Sequence, residues 1–344
     1  MKIKPMSPTK DKGPVDAVVA LTYRCNLRCL TCDLADRETD ELLTPETLRK
    51  LPPSLKFVNL TGGEPLLLAD LVPRVRAVHD ATGAQITISI NGTLPERAEE
   101  VVRELRRDVP RLHVTVSLDG LEATHDHVRQ APGSFKKTLE TVGRLARLLG
   151  PDLHLAFTIS AANVDEFDGV AKLAAEYRLP LSLALTHISE HYFKPREGAV
   201  PGREAALRAV DAATRYYLRR FTPGGAARAY FAAGLRDVVI RGRRPIPCRA
   251  GDKFFYLDPA ADVYLCNMRA EKVGNLGRES FDEIWGGGAR RALLPTTGRA
   301  CPVQCWMVCT ARTAILDHPL RVGCWAMGAY ARKIFGLPSN KREE

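Results

Sequence analysis

Between residues 15 and 190 the chain alternates short apolar runs with longer amphipathic stretches, and that rhythm predicts most of the architecture. The apolar runs are 15–21, 55–60, 85–90, 112–118, 153–159 and 181–185. The first reads as a fully buried strand. Helical periodicity lies between them, near 45–51, 71–79, 95–107, 135–149 and 164–177. Thr44 is placed to cap the first helix, with Pro45 at its first position. Gly150-Pro151 stops the fourth helix, and Leu179-Pro180 leads into the last strand. Six β/α repeats imply a parallel sheet with right-handed crossovers. They are too few to close an eight-stranded barrel. The predicted fold is therefore α/β: a partial (β/α)6 TIM-like barrel followed by a small cysteine-rich C-terminal extension.

Past residue 200 the pattern changes. Residues 200–235 read as helical and alanine-rich, with Gly224-Gly225 as a break. Composition shifts again at 241–247, and six of the nine cysteines lie beyond it. Residues 254–257 and 263–266 read as strands around a hairpin loop from Asp258 to Asp262. Residues 280–285 read as a capped helical turn ended by Gly286-Gly287-Gly288. The expected organisation is an N-terminal tail (1–14), the barrel (15–200), a helical linker (201–244), the cysteine-rich domain (245–325), and a C-terminal helix and tail (326–344), frayed from Ser339 onward.

Barrels of this kind carry their chemistry on loops after the C-terminal strand ends. Cys25, Cys29 and Cys32 follow the first run, and Thr61-Gly62-Gly63-Glu64-Pro65 follows the second. Ser89 and Asn91-Gly92 end the third, and Ser117, Asp119 and Gly120 end the fourth. Thr158 and Asn163 flank the end of the fifth, and Thr186-His187 follow the sixth.

The cysteines sharpen this picture. They stand at 25, 29, 32, 248, 266, 301, 305, 309 and 324, an odd and clustered set. Without a secretion signal, that pattern argues for metal ligation over disulfides. Three thiolates on one loop can hold three irons of a four-iron cluster and leave the fourth open. Zinc is the alternative for this loop, although a structural zinc wants four closed ligands. The net charge of +10 comes mostly from arginine, densest at Arg236, Arg241, Arg243 and Arg244. That group reads either as a solvated basic loop or as a contact for a phosphate or carboxylate. Interleaved aromatics are lacking, so nucleic acid is not expected as a partner. No run approaches a membrane span, and the basic N-terminus has no apolar core, which points to a cytoplasmic protein.

Taken in order, Cys25-x3-Cys29-x2-Cys32, Gly62-Gly63-Glu64 and the Ser89/Asn91 strand end resemble the radical S-adenosylmethionine (SAM) superfamily, over residues 15 to 190. Cys248, Cys266, Cys301, Cys305, Cys309 and Cys324 resemble the SPASM or twitch extension of some members, over residues 245 to 325. The resemblance implies an enzyme whose 4Fe–4S cluster, on Cys25, Cys29 and Cys32, reductively cleaves SAM to a 5′-deoxyadenosyl radical. The radical would abstract a hydrogen atom from a peptide or small-molecule substrate. The same resemblance implies SAM contacts at Gly62, Gly63, Glu64, Ser89, Asn91, Ser117 and Arg129. At least one auxiliary 4Fe–4S cluster on the later cysteines is also implied, with a reductant such as flavodoxin or ferredoxin.

Two departures stand out. Thr31 replaces the aromatic residue that many members place before the third cysteine, and the later set is one ligand short of the full seven-cysteine pattern. Six thiolates cannot fully ligate two four-iron clusters, so either one auxiliary cluster is complete with two spare cysteines, the favoured reading, or two clusters each keep an open iron. His187, at the end of the sixth strand, is the candidate proton or hydrogen-atom partner, with His191 and Tyr192 behind it. His125-Asp126-His127 is not expected to bind metal. The substrate could instead be a sugar, lipid or nucleoside-like intermediate. A non-catalytic iron–sulfur electron carrier or sensor is the competing class of function, and it would need no SAM site.

Overall fold

The computed structural model describes residues 13–335 apart from Thr39, Glu190, Arg220 and Phe221. Most of the expected N-terminal tail and the stretch from residue 336 onward lie outside these described residues.

Six parallel strands appear where the apolar runs predicted them: β1 (Asp16–Thr22), β2 (Phe57–Gly62), β3 (Gln85–Ile90), β4 (Leu112–Ser117), β5 (Leu153–Ile159) and β6 (Leu181–Leu185). Three more follow, β7 (Phe254–Leu257), β8 (Asp262–Tyr264) and β9 (Lys272–Asn275). All nine form one sheet in the order β6-β5-β4-β3-β2-β1-β7-β8-β9. The partial barrel is therefore confirmed, and its open edge carries strands from the cysteine-rich region. β7 runs parallel to β1, from Asp16 against Phe254 to Val19 against Leu257. β8 and β9 then continue antiparallel. This junction makes β1 an interior strand, which is why all seven of its positions are buried.

Helices Pro45–Leu48, Leu71–Thr82, Pro95–Leu105, Ser134–Leu149 and Phe167–Glu176 occupy the predicted connections. Thr44 caps the first by accepting from the Thr47 amide. The amphipathic pattern explains which way the sheet faces. Along β4, Leu112, Val114 and Val116 are buried against the helices, while His113, Thr115 and Ser117 stand half-buried on the lumen side. A second core fills the barrel under the cysteine loop, where Tyr23, Tyr192, Phe254, Tyr256 and Cys266 pack with Cys32, Cys248, Cys305 and Cys309 around its margin.

Three expectations change. Gly224-Gly225 does not break the helical region; it lies in the first turn of helix Pro223–Arg241, where the Thr222 hydroxyl accepts from the Gly225 amide at 3.0 Å. The break falls instead after helix Arg203–Tyr217. A helix at Glu122–Arg129 lies in a connection to which the sequence analysis assigned no helix. The hairpin forms as predicted, but its second strand ends at Tyr264, short of Cys266. The turn at 280 is helix Phe281–Trp285, closed by a reciprocal capping box between Ser280 and Glu283.

Candidate active site and auxiliary metal centre

The Gly62-Gly63-Glu64 loop is locked onto the start of the cysteine loop. The Gly63 amide donates to the Thr22 carbonyl at 2.7 Å, and the Glu64 amide donates to the Arg24 carbonyl at 2.9 Å. Gly62 has φ of +130°, and a Cβ there would sit 2.0 Å from the Thr22 carbonyl oxygen. A Cβ on Gly63 would meet the Arg24 carbonyl oxygen at 2.1 Å. Both glycines are thus required by the close approach of two backbones. Sequence reasoning assigned that need to SAM, because the partner segment lies some forty residues away and leaves no local signal.

Glu64 stands behind the cleft wall rather than in it. Its carboxylate is fully buried and accepts from the Leu66 amide at 3.0 Å and the Asn91 amide at 2.7 Å, tying the loop after β2 to the end of β3. Burial raises its pKa from 4.5 to about 7, against the lowering effect of those two amides and Arg129. The folded state therefore keeps this proton between pH 4.5 and 7, where the unfolded chain has lost it. Its contribution is complete below 4.5 and lost as pH rises through 7, about 3 kcal/mol in all. Urea unfolding at pH 5 and 7.5 should show that slope, and Glu64→Gln should flatten it; an unchanged slope would refute the assignment.

Asn91 extends the brace. Its side-chain amide donates to Asn26 Oδ1 at 2.8 Å, while Asn26 donates to Thr93 Oγ1 at 2.9 Å. Asn26 lies between Cys25 and Cys29, so the cysteine loop hangs on the end of β3. From the other side, the Leu30 amide donates to the Val128 carbonyl at 2.8 Å. That bond comes from helix Glu122–Arg129, which also delivers Arg129. Neither Asn26 nor Thr93 was picked out from the sequence.

Arg129 is buried beside the cysteines. Nη2 pairs with Asp119 at 2.6 Å, and Nη1 lies 3.7 Å from Cys29 Sγ. Burial opposes its charge, but Asp119 and Cys29 outweigh that and raise its pKa. Asp119 in turn accepts from the Thr158 amide at 2.8 Å, linking the ends of β4 and β5. The Arg129 Nε is buried without a partner. His125 and Asp126 are structural: the His125 ring accepts from the Asp119 amide at 3.1 Å, and Asp126 accepts from the Gly133 and Phe135 amides and the Ser134 hydroxyl.

These elements enclose a cleft of about 150 Å³ lined by Cys25, Cys29, Cys32, Thr31, Gly62, Gly63, Ser89, Asn91, Ser117 and Arg129. Apart from Glu64, every predicted SAM contact reaches its wall. Ser89 also donates to Asn59 Oδ1 at 2.9 Å. A second chamber of about 190 Å³ opens beside it, lined by Thr158, Thr186, His187, Tyr192, Phe193 and Met307. The two share Thr31, Cys32, Leu34 and Gly62. His187 Nδ1 donates to the Leu185 carbonyl at 3.1 Å, leaving Nε2 buried and unpartnered. Burial lowers its pKa, so the ring is neutral at physiological pH. His191 is stacked on Tyr264 at 4.2 Å, outside this chamber.

The later cysteines separate into two groups. Cys248, Cys266, Cys301 and Cys305 line one small cavity of about 20 Å³ with Arg244 and Arg269. Cys309 is half-buried on the barrel side, its Sγ 4.0 Å from Asn267 Oδ1, and does not line that space. Cys324 is exposed on helix Pro319–Phe335. All six are ligand candidates by sequence; the geometry gathers four around one space and leaves Cys309 and Cys324 outside it. Burial pushes Cys32 and Cys305 up to about 12 and Cys266 up to about 11, so without metal these are neutral thiols. Iron would deprotonate them outright.

Each thiol set borders a volume rather than a point. Among the described residues, no three His, Cys, Asp or Glu side chains are grouped to hold one metal ion. The residues fit the implied groups: an all-sulfur donor set at each cavity, and beside the first a buried guanidinium with a donor to spare.

Known proteins agree. The radical SAM superfamily model matches residues 19–174, and an iron–sulfur cluster-binding domain model, SPASM, matches residues 248–310. The AdoMet-dependent heme synthase of Methanosarcina barkeri (strain Fusaro / DSM 804) is 34% identical over 296 residues, covering 77% of this chain and 80% of that protein. This chain belongs to the radical SAM superfamily. The family's cofactors are a SAM-binding 4Fe–4S cluster and SAM, with auxiliary iron–sulfur in the SPASM domain, and the chain is an enzyme of this class. The mycofactocin maturase MftC of Mycolicibacterium smegmatis (strain ATCC 700084 / mc(2)155) is 26% identical, covering 79% of this chain and 70% of that one. Some other curated relatives are matched over only 43% and 40% of their own length. The fold is shared with anSMEcpe with bound AdoMet, at a TM-score of 0.63 and 15% identity, covering 92% of this chain and 96% of that one. No described helix is long and apolar enough to cross a membrane.

Proposed function

We propose that this radical SAM enzyme abstracts a hydrogen atom from an unactivated carbon of a peptide or small-molecule substrate held in the chamber beside the cysteine cleft. The observation that carries this reading is the shared wall of Thr31, Cys32, Leu34 and Gly62 between the two cavities. A substrate carbon in the second chamber would lie next to whatever occupies the first, which is the proximity that such chemistry needs. An electron carrier or sensor would have no use for it. When bound, the cluster and SAM supply the one-electron cleavage that generates the reactive species.

The chain's own residues supply position and proton handling. Arg129 places a cation beside Cys29 and offers Nε to an anionic group such as the SAM carboxylate. Ser89, Asn91 and Ser117 give the cleft its polar side. Tyr192, Phe193 and Met307 form an apolar and aromatic surface that excludes water from the substrate carbon. His187, neutral and with a free Nε2, would accept the proton released when a substrate radical is oxidised. Cys248, Cys266, Cys301 and Cys305 would hold an auxiliary cluster, which would supply an electron acceptor or a substrate-binding site there.

Both substrate classes find support among the relatives, one named a heme synthase and one a maturase. The higher identity of the heme synthase favours a small molecule; the maturase favours a peptide. Extract from cells grown in deuterated medium, separated into metabolite and peptide fractions, distinguishes them. The fraction holding the substrate should transfer deuterium to 5′-deoxyadenosine. Unlabelled 5′-deoxyadenosine from every fraction would refute hydrogen abstraction. His187→Phe should leave that transfer intact and lower product yield at least tenfold.

A further inference from the structure

The chain carries a net charge of +10 and the cysteine cleft has Arg129 in its wall. The substrate chamber beside it is different: among its described lining residues there is no Asp, Glu, Lys or Arg. Its apolar side is made by Leu34, Ala184, Leu185, Tyr192, Phe193 and Met307. An ionised group placed there would lose its water and gain no counter-charge. The chamber measures about 190 Å³, below the roughly 300–1,000 Å³ of pockets that enclose a drug-sized molecule. It therefore takes one group of such a substrate, not the whole.

The polar side comes from the two residues that follow β6, and both commit their protons to backbone carbonyls. The Thr186 hydroxyl donates to the Ile159 carbonyl at 2.7 Å. His187 Nδ1 stands 3.1 Å from the Leu185 carbonyl, which can only accept, so the ring proton sits on Nδ1 and Nε2 keeps its lone pair. Burial disfavours a second proton on the ring. Nε2 is buried without a partner, a state that a donor from outside the chain relieves. The Tyr192 hydroxyl is engaged with Thr61. Thr186 and His187 thus present acceptors to a substrate.

We propose that the substrate group entering this chamber is uncharged and carries an N–H or O–H that donates to His187 Nε2, while any carboxylate or phosphate of the same substrate stays outside. His187 is then the residue that selects the group. A peptide supplies such a donor as an amide, and a sugar- or nucleoside-like molecule supplies it as a hydroxyl. A group with acceptors alone sets lone pair against lone pair. The proposal rests on the hydrogen-abstraction reading given above and narrows what that chamber accepts.

The test uses the full chain, reconstituted anaerobically with SAM and dithionite, and the deuterated extract fraction that labels 5′-deoxyadenosine. Four unlabelled probes with one isobutyl skeleton compete with that fraction: isovaleramide, isoamyl alcohol, isovalerate and isobutyl methyl ketone. The amide and the alcohol should halve the labelling at concentrations at least tenfold lower than the carboxylate or the ketone. Whichever of the two competes better names the source of the donor. His187→Phe should bring all four probes within twofold of one another. His187→Gln restores an acceptor oxygen and should keep the amide and alcohol at least threefold ahead, a split that a merely structural histidine would not give. Should His187→Phe fail to fold, Met307→Lys adds a cation to the wall and should strengthen competition by isovalerate at least tenfold. Isovalerate competing as well as isovaleramide in the wild-type chain would overturn the proposal, as would a donor preference undiminished in His187→Phe. Competition by none of the four, while the fraction still labels 5′-deoxyadenosine, would overturn it and leave hydrogen abstraction standing. A fraction that transfers no deuterium would instead refute the abstraction reading itself.

Discussion

Gly62→Ala should cost the folded chain about 3 kcal/mol or more and abolish SAM cleavage together with the cluster on Cys25, Cys29 and Cys32. Two penalties combine. A side chain at φ of +130° is strained whatever the space, and the new Cβ would lie 2.0 Å from the Thr22 carbonyl oxygen. The atom in the way is backbone at the root of the cysteine loop, so relief means moving that loop. Gly83→Ala is the matched control. Its φ is +58°, but nothing lies within 4 Å of the added carbon, and the cost should stay near 1 kcal/mol. Urea midpoints and iron content check both. A Gly62 variant no worse than the Gly83 variant would show that the loop is not held this way.

Removing one auxiliary ligand should have a comparably large effect on iron. Cys266→Ala should lose about four iron atoms per chain, one cluster's worth. Cys248→Ala, Cys301→Ala and Cys305→Ala should do the same, because these four thiols border one space. Cys324→Ala should leave iron unchanged, since that thiol is exposed on the last helix. Cys309→Ala should keep its iron as well, although the lost packing at a half-buried site should lower stability by about 1 kcal/mol. Iron analysis after anaerobic reconstitution decides it. Loss of auxiliary iron in the Cys309 variant would mean that a second cluster draws on it.

The sequence made the barrel and the placement of chemistry legible because both depend on local pattern. Apolar runs separated by 3.6-residue periodicity mark strands and helices, and the polar or glycine positions directly after them mark the strand ends. Cys25, Ser89, Asn91 and Ser117 were found that way, and all four reach the same wall. Long-range geometry left no such trace. The pairing of β7 with β1 joins segments more than two hundred residues apart, and nothing local in Phe254–Leu257 announces a parallel partner. Gly62 and Gly63 were recognised as a motif, but the carbonyls that exclude a Cβ belong to Thr22 and Arg24. Glu64 was expected to face SAM because a carboxylate there invites a charge argument; its two backbone donors turn it inward. The division of the later cysteines into four and two depends on which thiols converge in space, which spacing alone left open.

The most direct test is 5′-deoxyadenosine formation by the anaerobically reconstituted chain with SAM and dithionite. The wild-type protein should form it. The Cys25/Cys29/Cys32→Ala protein should form none while keeping the iron held by Cys248, Cys266, Cys301 and Cys305. A fully loaded wild-type protein that leaves SAM intact would contradict the account.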